Sequence, residues 1–233
     1  MAGINGGNES REQKVPLLGQ VDFGNLRRVE PLTRSFGYDR GTPIDRYYIN
    51  QFLTRYANDI SGHVVEIGDD RYTKRFGGDR VSRSDVLDQA HPDSNPTIVA
   101  NLTNADHVPS DSFDCIIITQ TLQFIYDVSA AASTLHRILR PGGVLLASLP
   151  SLSPICRYDM DRWGDYWRFT SASAQRIFGD LFDPDNTSVE ACGNVLVSTA
   201  FLHGMAAEEL TEEELGFKDR DYEALITVRA VKK

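Results

Sequence analysis

The sequence predicts an α/β fold: a mostly parallel, doubly wound sheet with helices on both faces. Two observations carry this expectation. Short β-branched runs recur along the chain, and segments with apolar residues three and four apart lie between them. Each parallel crossover needs a long connection that covers the sheet, so the alternation specifies parallel strands.

In chain order, residues 1–20 are rich in Gly, Asn and charge and read as a disordered tail, because little in them offsets the entropy of ordering. Residues 21–233 follow as a single domain. Thr42-Pro43 opens a helix, with Thr as N-cap and Pro in the first turn, and Ile44, Tyr47, Tyr48, Phe52 and Tyr56 make one apolar face up to about Asp59. His63 to Gly68 is a β-branched run that stops at a glycine, as a buried parallel strand does before a tight turn. Further strands are expected at Arg80 to Ser84, Thr97 to Ala100, Phe113 to Thr119, Gly143 to Leu149 and Ala224 to Val231. Helices are expected at Val128 to Leu139, Ser171 to Phe182 and Val195 to Leu210.

The 233 residues, 41% hydrophobic and 9% aromatic, can supply one core, which excludes intrinsic disorder and a disulfide-stapled miniature. A net charge of −9 opposes phosphate binding over a broad surface, so a small molecule is the expected partner and nucleic acid is not. Cys115, Cys156 and Cys192 contain no CxxC pair and fit a reducing compartment. No stretch reads as a signal peptide or as a membrane span of about 18 apolar residues, so a cytoplasmic protein without a membrane partner is expected. The His, Asp and Glu spacings match no metal-ligand pattern.

In an open α/β sheet a ligand sits beyond the carboxyl ends of the strands, which makes the residues just after each strand informative. After the first come Glu66, Ile67, Gly68, Asp69, Asp70, Arg71 and Tyr72, where Gly68 lets the backbone turn close to a ligand. Asp85 stands seventeen residues past Gly68, near the spacing at which a carboxylate takes both ribose hydroxyls. Asn101 and Leu102 offer an amide and an apolar side chain to an adenine, and Thr119 and Gln120 follow the fourth strand. Together these suggest a nucleoside-containing cofactor. A dinucleotide places its pyrophosphate on the first helix N-terminus, where Asp69 and Asp70 stand. Like charges about 4 Å apart repel by roughly 4 kcal/mol at an effective dielectric of about 20, or around three decades of affinity. S-adenosylmethionine is cationic and phosphate-free, the sign such a bend attracts.

The order Val65-Glu66-Ile67-Gly68, Asp85, Ser112-Phe113-Asp114-Cys115-Ile116-Ile117 and Leu135-His136-Arg137-Ile138-Leu139-Arg140-Pro141-Gly142-Gly143-Val144-Leu145 resembles the class I S-adenosylmethionine-dependent methyltransferases, type 11-like, over about residues 43 to 231. The family's first loop usually has three alternating glycines, whereas Asp70 and Tyr72 occupy the second and third positions here. The resemblance implies a Rossmann-like sheet of seven strands with an antiparallel C-terminal strand, and methyl transfer from S-adenosylmethionine to a small molecule. It further implies Glu66, Gly68 and Asp69 at the methionine end, Asp85 on the ribose, Asn101 and Leu102 against adenine, and Thr119 and Gln120 near the sulfonium.

Acceptor residues are expected outside the cofactor core. Tyr38 and Arg40 belong to an N-terminal lid segment, 21–42, and Tyr158, Trp163, Tyr166 and Trp167 to a segment at 151–170 where such methyltransferases place substrate insertions. Aromatic walls with interleaved carboxylates suit a sugar-like or other polyhydroxylated acceptor, and equally a loop packed on its own side chains. An alcohol benefits from a base, for which Asp159, Asp161 and His203 are candidates. His63, His91 and His136 read as structural, and the acidic run from Glu208 to Glu214 as a solvated face. O-methylation of a sugar-like or natural-product hydroxyl is the expected reaction. A cyclisation or isomerisation on the same fold, and a binding module without catalysis, are the alternatives.

Overall fold

The computed structural model describes residues 15–89 and 95–233, so most of the expected tail and His91 lie outside the described residues. The chain divides into two compact units, Met1–Glu30 and Pro31–Lys233. The described part of the first is a short exposed segment with one 3₁₀ turn, Gly24–Leu26, whose Gly24 amide donates to the Asp22 carboxylate at 2.8 Å.

The second unit runs α1 (Ile44–Arg55), β1 (Gly62–Ile67), β2 (Val81–Asp88), β3 (Ile98–Val99), β4 (Phe113–Thr119), α2 (Val128–Ile138), β5 (Leu139–Pro150), α3 (Arg157–Trp163), α4 (Ser171–Phe182), β6 (Thr187–Cys192), α5 (Val195–Leu202), α6 (Glu212–Gly216) and β7 (Leu225–Val231). The seven strands form one sheet in the order β3-β2-β1-β4-β5-β7-β6. Strands β1 to β5 pair in parallel, and β7 runs antiparallel to both β5 and β6.

Both faces are covered, which is why the central strands are apolar at successive positions instead of alternating with polar residues. Val65, Ile116, Ile118, Leu145 and Ala147 cluster with Ala131, Leu135, Ala174 and Phe178 from α2 and α4. Val64, Cys115, Ile117, Val144 and Leu146 cluster with Ile49, Leu53, Val197 and Phe201 from α1 and α5. Side chains start three of these helices: Asp127 accepts from the Ala130 amide at 2.9 Å, Asn194 accepts from the Val197 amide at 3.0 Å, and Thr170 and Ser173 form a reciprocal capping box.

Some elements differ from the sequence expectation. β2 continues past Ser84 to Asp88, because Val86 and Leu87 pair with Glu66 and Ile67 and Leu87 is fully buried. The helix expected from Val195 to Leu210 stops at Leu202; Gly204 follows at φ +73°, so close to the Thr33 carbonyl that a side chain there would collide with it. The edge strand β6 and the seven-residue α3 were not expected, the first because Glu190 and Ala191 dilute its strand signal.

Candidate functional site

β1 and β4 are adjacent, and from them the chain proceeds to opposite sides of the sheet, the switch point at which an open sheet leaves a crevice. A cavity of about 430 Å³ lies there. Ile67, Gly68 and Asp69 line it after β1, Leu87, Asp88 and Gln89 at the end of β2, Ala100 and Leu102 after β3, and Gln120 and Thr121 after β4. Arg71, Phe124, Ile125, Asp159 and Trp163 complete the wall.

At the first bend Gly68 takes φ +93°, and a Cβ built on it meets nothing within 4 Å, so its backbone borders open space. Glu66 does not line the cavity. Its carboxylate is buried and accepts from Tyr72 N at 3.2 Å, Thr73 N at 2.7 Å and Thr73 Oγ1 at 2.8 Å, holding the start of the short helical segment Thr73–Gly77 between β1 and β2. Burial pushes its pKa up to about 7 against those hydrogen bonds. Asp69 is bonded to Arg71 Nε at 2.7 Å and Asp70 to Lys74 Nζ at 2.8 Å. Burial acts to raise the Asp69 pKa, but its bonds to Arg71 outweigh this and hold it below the ordinary carboxylate value. With a cation beside each acid, this bend does not repel a pyrophosphate as two unpaired carboxylates do. Charge at this bend therefore does not by itself exclude a dinucleotide.

Asp85 does not reach the cavity. It lies within β2, 5% exposed, with His63 Nε2 at 2.6 Å, Thr97 Oγ1 at 2.8 Å and Arg83 Nε at 3.0 Å. Burial acts to raise its pKa and these partners outweigh it, so the acid stays ionised in mid-strand. The carboxylate that borders the cavity at the strand end is Asp88. Leu102 lines the cavity, while Asn101 folds its Oδ1 back onto Thr103 N at 3.0 Å and Thr103 Oγ1 at 2.9 Å, a turn-forming role. Gln120 lines it and Thr119 does not. Gln120 adopts φ +48°, a strained backbone for a residue other than glycine and one that concentrates at functional sites.

A second cavity, of about 170 Å³, shares Gln120, Phe124 and Asp159 with the first. Phe36, Tyr38, Asp45, Arg46, Gln123, Pro150, Pro154, Cys156, Asp165, Arg168 and Phe201 are among its other lining residues. Burial raises the Asp45 pKa, opposed in part by Arg46. Arg168 is gripped by Asp165 at 2.6 and 3.0 Å and by the carbonyls of Ser153 and Pro154 at 3.2 and 3.0 Å.

Of the residues expected to act on the acceptor, Asp159 borders both cavities, Trp163 the larger and Tyr38 the smaller. Tyr166 lines an adjoining recess with Asn101 and Tyr126, which shares Gln89, Phe124, Ile125 and Trp163 with the larger cavity. Arg40, Tyr158, Trp167, Asp161 and His203 line none of these spaces. Arg40 is paired with Glu209, and Glu208 accepts from Thr42, so this part of the acidic run fastens the segment before α1 and is not simply a solvated face. Arg162 stacks over the Tyr158 ring at 3.5 Å, and Trp167 Nε1 donates to the Ile125 and Tyr126 carbonyls at 3.1 and 3.2 Å. Asp161, two residues from Asp159 on α3, cannot share its face. His203 caps the end of α5.

Asp88, Asp45 and Arg46 were not singled out in the sequence, whereas Asp165 and Arg168 lie inside the expected 151–170 segment and Gln123 closes the stretch Thr119–Gln123 after the fourth strand. Asp88 had a signal there, as the first polar residue after Val86-Leu87. Among the described residues no His, Cys, Asp and Glu group could hold a metal, and no helix is long and apolar enough to cross a membrane.

Residues 46–147 match the family of methyltransferase domains. A ubiquinone/menaquinone biosynthesis C-methyltransferase from Hahella chejuensis is 37% identical over 112 residues, covering 47% of this chain and 41% of that protein, so the chain spans less than half of this curated relative. The fold is shared with an S-adenosylmethionine-dependent methyltransferase from Archaeoglobus fulgidus at a TM-score of 0.53 and 12% identity, over 81% of this chain and 94% of that one. A Thermotoga maritima structure described as a possible histamine N-methyltransferase gives 0.52 and 15%, over 82% and 92%. The seven-stranded sheet with a crevice at its switch point agrees with these likenesses, which support a class I S-adenosylmethionine-dependent methyltransferase.

Proposed function

We propose that the protein transfers a methyl group from S-adenosylmethionine to a hydroxyl of a small, sugar-like acceptor. The observation that carries this reading is the junction of the two cavities, where Gln120, Phe124 and Asp159 face both. The larger cavity fits the cofactor. Leu87, Ala100, Leu102 and Ile125 provide apolar walls for adenine, Asp88 a carboxylate for the ribose hydroxyls, and open Gly68 backbone a place for the methionine chain. Asp69 and Arg71 offer opposite charges to its ammonium and carboxylate. When bound, S-adenosylmethionine supplies a methyl carbon made electrophilic by its sulfonium. The chain's own residues align the acceptor and move one proton: Phe36, Phe124 and Phe201 wall the smaller cavity, and Asp159 accepts the proton that the acceptor hydroxyl loses.

Calorimetric titration with S-adenosylhomocysteine and incubation with S-adenosylmethionine and hydroxylated rings test the reading. Binding followed by a product heavier by one CH₂ supports it. Absence of binding refutes it, and a product of unchanged mass supports a non-methylating reaction instead.

A further inference from the structure

Gln123 is 5% exposed, and its side-chain oxygen is buried without a hydrogen-bond partner. The amide cannot be reversed, because its Nε2 donates to the Gln120 carbonyl at 2.9 Å and a carbonyl only accepts. Its backbone is held as well, with Tyr166 N donating to the Gln123 carbonyl at 2.8 Å. Gln123 lines the smaller cavity and not the larger.

Among the charged groups of that cavity, carboxylates outnumber cations. Asp45, Asp159 and Asp165 bring carboxylates, whereas both cations are engaged: Arg168 by Asp165 and carbonyls, Arg46 by the Tyr38 hydroxyl at 3.0 Å and Asp45 at 3.8 Å. Phe36, Phe124, Phe201 and two prolines supply the flat apolar surface a ring needs.

We propose that the smaller cavity takes the acceptor as a neutral, hydroxyl-bearing ring, and that Gln123 selects it by accepting an O–H hydrogen bond on its unsatisfied oxygen. This deepens the methyl-transfer reading and rests on it for the word acceptor. A ring without a donor leaves the oxygen unpaired, and an anionic ring meets an excess of carboxylates and no cation that is not already engaged.

The test uses the full chain with phenol, cyclohexanol, anisole and benzoate as probes, each titrated by saturation-transfer NMR with and without S-adenosylhomocysteine. At least one hydroxylated probe is expected to half-saturate roughly tenfold below anisole and benzoate. Whichever of phenol and cyclohexanol is tighter tells a planar from a puckered ring. Gln123→Met keeps an apolar stem without the oxygen and is expected to bring the hydroxylated probe close to anisole. Anisole or benzoate binding as tightly as the hydroxylated probes overturns the proposal, as does a preference that survives in Gln123→Met. The wild-type probe order needs no variant, so loss of fold in Gln123→Met leaves the test intact. Failure to bind S-adenosylhomocysteine with the probe order preserved removes the methyl-transfer reading alone.

Discussion

Asparagine at Asp88 and at Asp85 separates the two carboxylates of β2, since one borders the large cavity and the other is locked within the strand. At the end of β2 a carboxylate can accept both ribose hydroxyls, and hydrogen bonds to a charged group contribute about 1.5–3 kcal/mol. Asp88→Asn is therefore expected to weaken S-adenosylhomocysteine binding by roughly 10- to 150-fold. Asp85→Asn removes the charge facing His63 at 2.6 Å, Arg83 at 3.0 Å and Thr97 at 2.8 Å. Breaking a buried pair costs about 3–5 kcal/mol; the oxygen that asparagine retains, and the 66% exposure of the Arg83 side chain, reduce this to about 2–3 kcal/mol. At about 2–4 °C per kcal/mol for a chain of this size, Tm falls by roughly 4–12 °C. Cofactor affinity in that variant stays within about twofold of wild type, because the site is not touched. Titration and scanning calorimetry measure both quantities on the same preparations. If Asp85→Asn costs more S-adenosylhomocysteine affinity than Asp88→Asn, the assignment of the two acids is wrong.

The raised pKa of Glu66, about 7 against an unfolded value of about 4.3, means that folding retains a proton the unfolded chain gives up. Stability from this group is present below about pH 4.3 and lost as pH rises through about 7, an effect of roughly 4 kcal/mol; denaturant midpoints across that window should fall less in Glu66→Gln than in wild type. Asp85 has the opposite sign: its lowered pKa gives stability present above about pH 3.9 and lost on acidification, and Asp85→Asn should flatten the acid limb of the same profile. With any acceptor that turns over, Asp159→Asn is expected to reduce kcat by about 100-fold, followed as S-adenosylhomocysteine release, and Asp161→Asn to leave it unchanged. Equal losses in the two remove Asp159 from its role as base.

The sheet was legible in the sequence because its cause is local. Val64-Val65 and Ile116-Ile117-Ile118 are apolar at consecutive positions, and such runs ending in Gly68 or Thr119 leave little choice beyond strands covered on both faces. Part of the site was legible for the same reason: Gly68, Leu102 and Gln120 follow strands, and strand ends face the crevice. Asp85 looks like a strand end in the sequence until its partners are known, and these are His63 on the next strand, Thr97 and Arg83. Tertiary structure alone decided that Asp45 and Arg46 from α1 meet Asp165 and Arg168 around one cavity, and that the oxygen of Gln123 is left without a donor. The spacing of apolar residues specifies which face of an element is buried. Where a polar side chain finds its partner depends on elements far apart in the chain, and no local pattern encodes that distance.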